Sequence, residues 1–368
     1  MRIEQIELKN YRNYREADIR PCEGITIFLG DNAQGKTNIL EAVYLCCTGR
    51  SHRTSHDREL IRSGEEAAGV HVRCQRADGG HDVEIRLSQS ERRVVKVAGQ
   101  PVSRSGELMG HVTGVLFSPE DLRMVKDGPQ ERRRFVDMEL SQLKPAYYYA
   151  LQRYNRALKQ RNLLLRQVSD HPGLSDTLLP WEEQLAAAGA QIMAARRRFI
   201  GELNQIAADT HAHVSGGREQ LSAVYQPALM TEASDDQLRD ALMQAYAAAR
   251  AQDLRRLTTT VGPHRDDVKL LVNGLDVRVY GSQGQQRTTA LSLKLSELTV
   301  MRDELGEWPV LMLDDVMSEL DPERRRHLLS RLEGVQTLVT CTDRDDLAGA
   351  PTGRVYRVHE AQLTAIDN

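Results

Sequence analysis

A glycine-rich segment near the start of the chain carries the clearest chemistry in the sequence. Residues 30–37 read Gly-Asp-Asn-Ala-Gln-Gly-Lys-Thr and match the whole phosphate-binding pattern G-x-x-x-x-G-K-[ST]. The glycines let consecutive backbone N–H groups turn toward an anion at a helix N-terminus. The lysine brings a positive charge to the outer phosphates, and the threonine hydroxyl can bind Mg²⁺. An ordinary glycine-rich turn is the alternative. The residues predicted to bind the nucleotide are Gly30, Asp31, Asn32, Ala33, Gln34, Gly35, Lys36 and Thr37.

The segments on either side of this loop fit the motif. Residues 24–29 are mainly apolar and β-branched, which is typical of a buried strand. Residues 37–45 carry apolar side chains at helical spacing. A strand, a glycine-rich loop and a helix, in this order, are the context that the motif requires.

A pair of acidic residues in the last third of the chain can complete this site. Residues 310–313 form an apolar run, and Asp314 and Asp315 follow it directly. An acid at the end of a buried strand is how phosphate-loop NTPases hold Mg²⁺ beside the phosphates. We expect Asp314 to bind the metal, directly or through water, together with Thr37. Asp315 is expected to polarise the attacking water, and so to be catalytic together with Lys36. A strand that merely ends in a polar turn is the alternative.

A third segment, Ser282-Gln283-Gly284, precedes a helical run at residues 288–301. Ser282 can cap that helix, and a helix N-terminus attracts anions. Alone, the segment could be only a capped helix. Because it lies 32 residues before Asp314, we predict that Ser282, Gln283 and Gly284 also bind the nucleotide.

Composition and cysteine content limit the class of protein. The chain has 368 residues, of which 40% are hydrophobic and 27% charged, as in an ordinary soluble globular protein. Five cysteines without a C-x-x-C pair argue against a disulfide framework and a zinc site. The charged N-terminus is unlike a signal peptide, and no apolar run is long enough to span a bilayer. We therefore expect a soluble cytoplasmic protein.

The hydrophobic pattern changes along the chain. From residue 70 to residue 102 apolar residues alternate, which predicts an antiparallel sheet beside the nucleotide core. From about residue 129 to residue 257 the helical period dominates, which predicts a separate helical lobe. The expected organisation is an ATPase head in two parts, residues 1–122 and 261–368, with a helical lobe inserted at residues 123–260.

A hairpin is predicted after the lobe. Apolar residues alternate over residues 268–272, and Asn273-Gly274 is a strong turn signal. Val277 and Val279 are expected to form the returning strand.

The first part of the lobe is basic, although the whole chain carries a net charge of −3. Residues 129–170 contain nine Lys or Arg and four acids, and Arg196-Arg197-Arg198 follows. Neutralising several phosphates is how a protein gains sequence-independent affinity for DNA. For any single arginine a solvated helix face is the better interpretation, but for the cluster as a whole we favour DNA. The predicted DNA contacts are Arg132, Arg133, Arg134, Arg153 and Arg156.

Together these segments resemble the ABC-type ATPase heads of the SMC and Rad50 group. Within that group the chain is similar to the RecF family, over nearly its whole length. The segments that carry this resemblance are residues 8–14 (LKNYRNY), 51–54 (SHRT), 117–122 (FSPEDL), 262–267 (GPHRDD) and 313–321 (LDDVMSELD). The resemblance implies an α/β fold, namely a P-loop ABC-type ATPase head with a mixed sheet and an antiparallel β subdomain, plus an inserted α-helical lobe.

The resemblance also implies a function. In such heads Ser282-Gln283-Gly284 would meet the γ-phosphate held by the phosphate loop of a second subunit. ATP with Mg²⁺ would then join a homodimer, and hydrolysis would release it. Proteins of this family bind DNA at junctions of double and single strands and, with RecO and RecR, promote loading of RecA on gapped DNA. The implied role is ATP-dependent DNA binding in recombinational repair, replication-fork maintenance and the SOS response, with a weak, DNA-stimulated ATPase activity.

The chain departs from that group at several points. Residues 123–260 are too few for the long coiled coil of SMC and Rad50 proteins, and the C-x-x-C hook of Rad50 is missing. Asp315 stands where such heads usually have glutamate, and no histidine follows the strand predicted at residues 337–340. Such heads also usually carry a glutamine after the strand that ends here at Phe117, and this chain has none there. Ser118 and Glu120 are the candidates to replace it. Because aspartate is one methylene shorter than glutamate, we expect slow hydrolysis, which suits a switch better than a motor.

Two other classes of protein share a phosphate-binding loop. An ATP-binding subunit of a transporter is the main alternative, but it would need membrane partners and no basic lobe. A small-molecule kinase is the second alternative, but it does not need a segment such as Ser282-Gln283-Gly284 before the strand that ends in Asp314 and Asp315. Binding to gapped DNA with and without ATP distinguishes these classes.

Overall fold

The computed structural model describes residues 1–229, 233–320, 322–330, 332–343 and 352–366. Two units can be recognised along the chain. We call Met1–Leu122, Thr210–Gly217 and Ala290–Asn368 the head, and Arg123–Asp209 and Arg218–Thr289 the lobe. None of the helices in these described stretches has the length and apolar character needed to cross a membrane.

Strands are concentrated in the head and helices in the lobe. The described strands are β1 (Arg2–Tyr11), β2 (Tyr14–Ile19), β3 (Ile25–Leu29), β4 (Ala67–Arg76), β5 (Gly79–Ser88), β6 (Val94–Val97), β7 (Gln100–Val102), β8 (Gly114–Phe117), β9 (Leu221–Gln226), β10 (Asp267–Val272), β11 (Leu275–Asp276), β12 (Val310–Asp314), β13 (Thr337–Cys341), β14 (Thr352–His359) and β15 (Gln362–Ile366). The described α-helices are α1 (Lys36–Thr48), α2 (Leu122–Lys126), α3 (Pro129–Leu143), α4 (Pro145–Asp170), α5 (Leu179–Val214), α6 (Leu238–Arg256), α7 (Val277–Tyr280), α8 (Gln283–Leu305) and α9 (Pro322–Ser330).

One six-stranded sheet of the head is antiparallel, in the order β2-β1-β4-β5-β6-β7. On β4, Val70, Val72 and Cys74 are buried, whereas the residues between them are more exposed. This alternation is what a sheet with one covered face requires. The predicted antiparallel subdomain is therefore confirmed, and it also includes β1 and β2 from the start of the chain.

The second six-stranded sheet of the head, in the order β15-β14-β3-β13-β12-β8, carries the phosphate loop. The strands from β14 to β8 in this order are parallel, and β15 is antiparallel to β14. β12 and β13 are buried along their whole length, as is typical of parallel sheets covered on both faces. Because β3, β13 and β12 are adjacent and parallel, Thr340 stands opposite both Phe28 and Asp314. The residues that follow these strands therefore meet at one edge of the sheet.

The lobe contains a three-stranded sheet in the order β11-β10-β9. Asn273 and Gly274 have φ values of 51° and 79°, so the predicted hairpin turn is confirmed. The predicted returning strand is wrong, because β11 has only two residues and Val277 begins the helix α7. Asp276 caps that helix by accepting a hydrogen bond from the N–H of Arg278 at 2.9 Å. β10 pairs along its length with β9 instead, a strand that the helical pattern of this region did not predict.

The pairing of β9 with β10 also bears on the limits of the two units. Residues 267–272 are hydrogen-bonded to residues 221–226, and both stretches belong to the lobe. The hydrophobic pattern instead predicts that the head resumes at residue 261. In the structure the lobe extends to Thr289, and Thr210–Gly217 belongs to the head.

Candidate nucleotide site

The phosphate-binding loop lies between β3 and α1 and depends on two glycines. Gly35 has a φ of 111°, and a Cβ at this position would lie 2.6 Å from Asn13 Nδ2. A Cβ at Gly30 would lie 2.2 Å from the backbone oxygen of Val358. Neither position accepts a larger residue without displacing its neighbour. α1 begins at Lys36, so the predicted order of strand, loop and helix is confirmed.

Lys36 and Asp315, the two predicted catalytic residues, lie close together. Lys36 is buried, and its Nζ donates to the backbone oxygens of Gly30 at 2.6 Å and Asp31 at 3.1 Å. Asp315 Oδ1 is 4.0 Å from this Nζ, and the Asp315 side chain is 36% exposed. The ammonium group is thus folded against its own loop, near a carboxylate that water can approach.

Asp314 is the last residue of β12, and its side chain links this strand to the residue that ends the phosphate-binding motif. Its Oδ1 accepts hydrogen bonds from the hydroxyl groups of Thr37 and Thr340, each at 2.8 Å. Thr340 Oγ1 also accepts from the N–H of Asp315 at 2.9 Å, where the chain turns with a φ of 51°. The structure therefore brings the two predicted metal ligands together and adds Thr340, which sequence reasoning missed. A threonine near the end of a buried strand is too common a feature to have identified Thr340 in advance. Asp321, the last residue of the segment 313–321 that carries part of the family resemblance, lies outside the described residues.

The environment of Asp314 suits a cation that arrives with a nucleotide. Burial raises the pKa of Asp314, and the hydrogen bonds from Thr340 and Thr37 offset this effect only in part. A cation beside the carboxylate would favour its ionised form, and Mg²⁺ is typically held by one or two carboxylates together with phosphate oxygens. Among the described residues no three His, Cys, Asp or Glu side chains group into a metal site. The Thr37 hydroxyl and the Asp314 carboxylate lie within hydrogen-bond distance of each other, and both are oxygen donors that fit Mg²⁺ shared with phosphate oxygens.

Ser282, Gln283 and Gly284 lie at the start of α8, in the lobe. Ser282 Oγ accepts from the N–H of Gln285 at 3.2 Å, and Gln285 Oε1 accepts from the N–H of Ser282 at 2.9 Å. Such reciprocal bonds form a capping box, so the predicted helix cap is confirmed. Ser282 and Gln283 are exposed to solvent.

The turn after β8 contains Ser118 and Glu120, the two candidates to replace the glutamine that ABC-type heads usually carry here. Asp121 Oδ2 accepts from the N–H of Ser118 at 2.7 Å and from its Oγ at 3.2 Å. Ser118 is buried in this cap, whereas Glu120 is exposed. Because β8 is parallel to β12, with Phe117 opposite Leu313, this turn lies at the same edge of the sheet as the acidic pair.

The basic residues predicted to contact DNA are not equivalent. Arg132 is buried, and its guanidinium donates to both carboxylate oxygens of Asp267, at 2.7 and 3.0 Å. Arg133 is half-buried and donates to the backbone oxygen of Asp266 at 2.6 Å. Because these guanidinium groups bind partners inside the lobe, we correct the prediction and leave Arg132 and Arg133 out of a DNA surface. The exposed members are Arg134, Arg153 and Arg156.

Comparison with known sequences agrees with this geometry. The family described as "RecF/RecN/SMC N terminal domain" matches residues 2–365. The chain is 43% identical to the "DNA replication and repair protein RecF" of Alkaliphilus oremlandii, over 99% of this chain and 100% of that protein. It is 44% identical to the protein of the same name from Agathobacter rectalis, over 100% of both.

Solved structures share the fold. One described as "Structure of the recombination mediator protein RecF-ATP in RecFOR pathway" superposes with a TM-score of 0.93 at 36% identity, covering 100% of this chain and 98% of that chain. An Smc head domain derived from Pyrococcus furiosus has a TM-score of 0.58 at 15% identity, over 99% and 96% of the two chains, which bears on the fold alone. The predicted α/β ABC-type ATPase fold is therefore confirmed. Because these matches extend over essentially its whole length, the chain belongs to the RecF family.

Proposed function

We propose that this chain is an ATP-dependent DNA-binding protein of recombinational repair and replication-fork maintenance. Its relatives are named DNA replication and repair proteins, and a similar solved structure is described as a recombination mediator with ATP. One observation in the chain itself carries the ATP-dependent part of the proposal. Thr37 and Asp314, 277 residues apart in sequence, share a hydrogen bond of 2.8 Å beside the phosphate loop. The transporter alternative has no support among the relatives.

The proposed chemistry follows from the residues at the loop. The N–H groups of the loop and Lys36 bind the phosphates and oppose the charge that develops on the γ-phosphate. Mg²⁺, held with Thr37 and Asp314, would supply further positive charge to the phosphate oxygens. Asp315, partly exposed and near Lys36, orients the attacking water. Since its side chain is short, hydrolysis is slow, and we propose that DNA stimulates it.

ATP joins two copies of the chain in this proposal. Ser282, Gln283 and Gly284 begin a capped helix whose exposed N-terminus suits an anion. We infer that it meets the γ-phosphate held by the phosphate loop of the second copy. Hydrolysis removes that contact and separates the copies.

Replacing Ser282 with arginine is expected to abolish ATP-dependent pairing and to leave ATP binding by a single copy unchanged. The reason is that Ser282 is exposed and belongs to a different segment from the loop that holds ATP. Sedimentation with a slowly hydrolysed ATP analogue measures pairing, and titration with a fluorescent nucleotide measures binding. Ser90→Arg, the same change at another exposed serine, is the matched control and should alter neither property. Equal loss of both properties in Ser282→Arg would contradict an arrangement between two copies.

Replacing Arg134, Arg153 and Arg156 together with alanine is expected to weaken binding to gapped DNA and to flatten its salt dependence. For duplex DNA, each phosphate that the protein no longer neutralises lowers the slope of log K against log salt by about 0.9. Gel shifts over a range of salt concentrations measure that slope. Arg132→Ala is the control, because its partner is Asp267 inside the lobe, and it should lower stability without changing the slope. If the triple variant keeps the wild-type slope, these arginines do not contact DNA.

The proposed partners are DNA at junctions of double and single strands, a second copy of the chain, and RecR acting with RecO. Through RecO and RecR the protein would promote loading of RecA on gapped DNA, as fits a relative described in the RecFOR pathway. Gel shifts on gapped DNA, with and without a slowly hydrolysed ATP analogue, test the whole proposal. We expect the analogue to strengthen both pairing and DNA binding. If it strengthens neither, the ATP-gated function is wrong.

A further inference from the structure

Gln34 occupies a variable position of the phosphate-binding motif, yet three hydrogen bonds converge on it. Its backbone oxygen accepts from Asn13 Nδ2 at 3.1 Å and from the N–H of Ala361 at 3.2 Å. Its side-chain Oε1 accepts from the N–H of Glu360 at 2.6 Å. Two segments that are distant in sequence therefore hold one residue of the loop.

The turn between β14 and β15 is built to present its N–H groups to the loop. Glu360 and Ala361 have φ values of 47° and 57°, as in a tight two-residue hairpin turn. The close approach of Val358 to Gly30 keeps β14 directly against the loop. The exposed side chain of Glu360 takes no part in the bond that its backbone makes to Gln34.

The turn between β1 and β2 holds the loop as well. Asn13 accepts from Asn38 Nδ2 at 2.8 Å while it donates to the backbone oxygen of Gln34. The buried hydroxyl of Tyr14 donates to the backbone oxygen of Gly35 at 3.2 Å. In a planar trans peptide the N–H points opposite to the C=O. Fixing the oxygens of Gln34 and Gly35 therefore aims the N–H groups of Gly35 and Lys36 away from these donors, as an anion-binding loop requires.

We propose that Gln34 is a positioning residue for nucleotide binding. Its side chain ties the loop to the β14–β15 turn, so that the N–H groups of the loop are oriented before a nucleotide arrives. The inference rests on the proposed binding of ATP by this loop. Donors that are already oriented bind an anion more tightly, because less ordering is needed on binding.

Gln34→Met tests this role. Methionine keeps the length of the side chain but offers no oxygen to the N–H of Glu360. We expect the affinity for fluorescent ADP to fall about three- to tenfold, the effect of one neutral hydrogen bond. Hydrogen exchange at the Glu360 amide should become faster, while the thermal midpoint of unfolding should fall by no more than about 3 °C, as expected for one hydrogen bond in a chain of this size. Gln34→Asn, whose amide is one methylene too short to reach, should give the same loss.

Glu360→Gly is the matched control, since glycine keeps the N–H, tolerates the positive φ and removes only the exposed side chain. It should bind ADP as the wild type does. Wild-type ADP affinity in both Gln34 variants, unchanged exchange at the Glu360 amide, or an equal loss in Glu360→Gly would each overturn the inference. A wild-type chain that binds no nucleotide would instead refute the proposed function itself.

Discussion

Replacing Lys36 with alanine is expected to weaken ATP binding at least about 100-fold, or about 2.7 kcal/mol. ATP-dependent pairing and the ATP-dependent part of DNA binding should disappear with it. Lys36 supplies the positive charge for the outer phosphates. Its Nζ already lies against the backbone oxygens of Gly30 and Asp31. Without that charge these oxygens, and the nearby carboxylate of Asp315, would face the triphosphate uncompensated.

Titration with a fluorescent ATP analogue measures the affinity of the Lys36→Ala chain, and sedimentation measures its pairing. Lys9→Ala, at an exposed position on β1, is the matched control and should behave as the wild type. If Lys36→Ala still bound ATP with wild-type affinity, the loop would not be the triphosphate site.

Much of the nucleotide site could be predicted because its residues lie in short segments with strong local signals. The glycine-rich loop and the apolar strand that ends in Asp314 each carry a recognisable pattern. Thr340 carries no such pattern. It reaches Asp314 only because β13 lies between β3 and β12, and no local feature of the sequence encodes that order. The same holds for Gln34, whose partner Glu360 comes from the other end of the chain.

The small sheet of the lobe is a part of the fold that the sequence could not predict either. Leu221 and Ala223 are buried on β9, but the strand is short and follows a long helix. Its partner β10 comes after another helix, so no hairpin signal joins the two strands. Tertiary pairing, rather than local propensity, decides such a strand.

The basic surface of the lobe could not be predicted by counting the charged residues in one stretch of the sequence. Its first helices hold an excess of basic residues, but the acids that pair with some of them lie far away in sequence. Arg132 pairs with Asp267, and Arg161 pairs with Glu182 and Asp253. These arginines stabilise the lobe and are not part of a basic surface.

Replacing Arg161 with methionine is expected to lower the free energy of unfolding by about 3–5 kcal/mol. Arg161, on α4, is fully buried and donates to Glu182 of α5 at 2.9 Å and to Asp253 of α6 at 2.6 Å. Its guanidinium carbon lies 5.6 Å from the centre of the Tyr246 ring. Methionine fills much of the same space, so the main loss is the charge that three helices share. Urea denaturation of the full chain measures the effect.

The pH dependence of this loss follows from Glu182. Burial alone would raise the pKa of Glu182, but hydrogen bonds from Arg250 and Arg161 hold it below its ordinary value. A carboxyl group with a lowered folded-state pKa stabilises the fold above its unfolded-state pKa, and this contribution is lost as the pH falls through the folded-state value. The gap in stability between the wild type and Arg161→Met should therefore narrow on acidification.

Removing a carboxylate together with the arginine separates uncompensated charge from lost packing. Arg161→Met with Asp253→Asn should regain part of the stability, because Glu182 still accepts from Arg250 at 2.6 Å and Asp253 no longer carries a buried charge. Arg156→Ala, at an exposed position on the same helix, should change the free energy of unfolding by less than about 0.5 kcal/mol. The double variant could instead lose as much free energy of unfolding as Arg161→Met and Asp253→Asn lose separately, added together. In that case an unpaired Asp253 does not explain the cost of Arg161→Met, and lost packing around Tyr246 explains it instead.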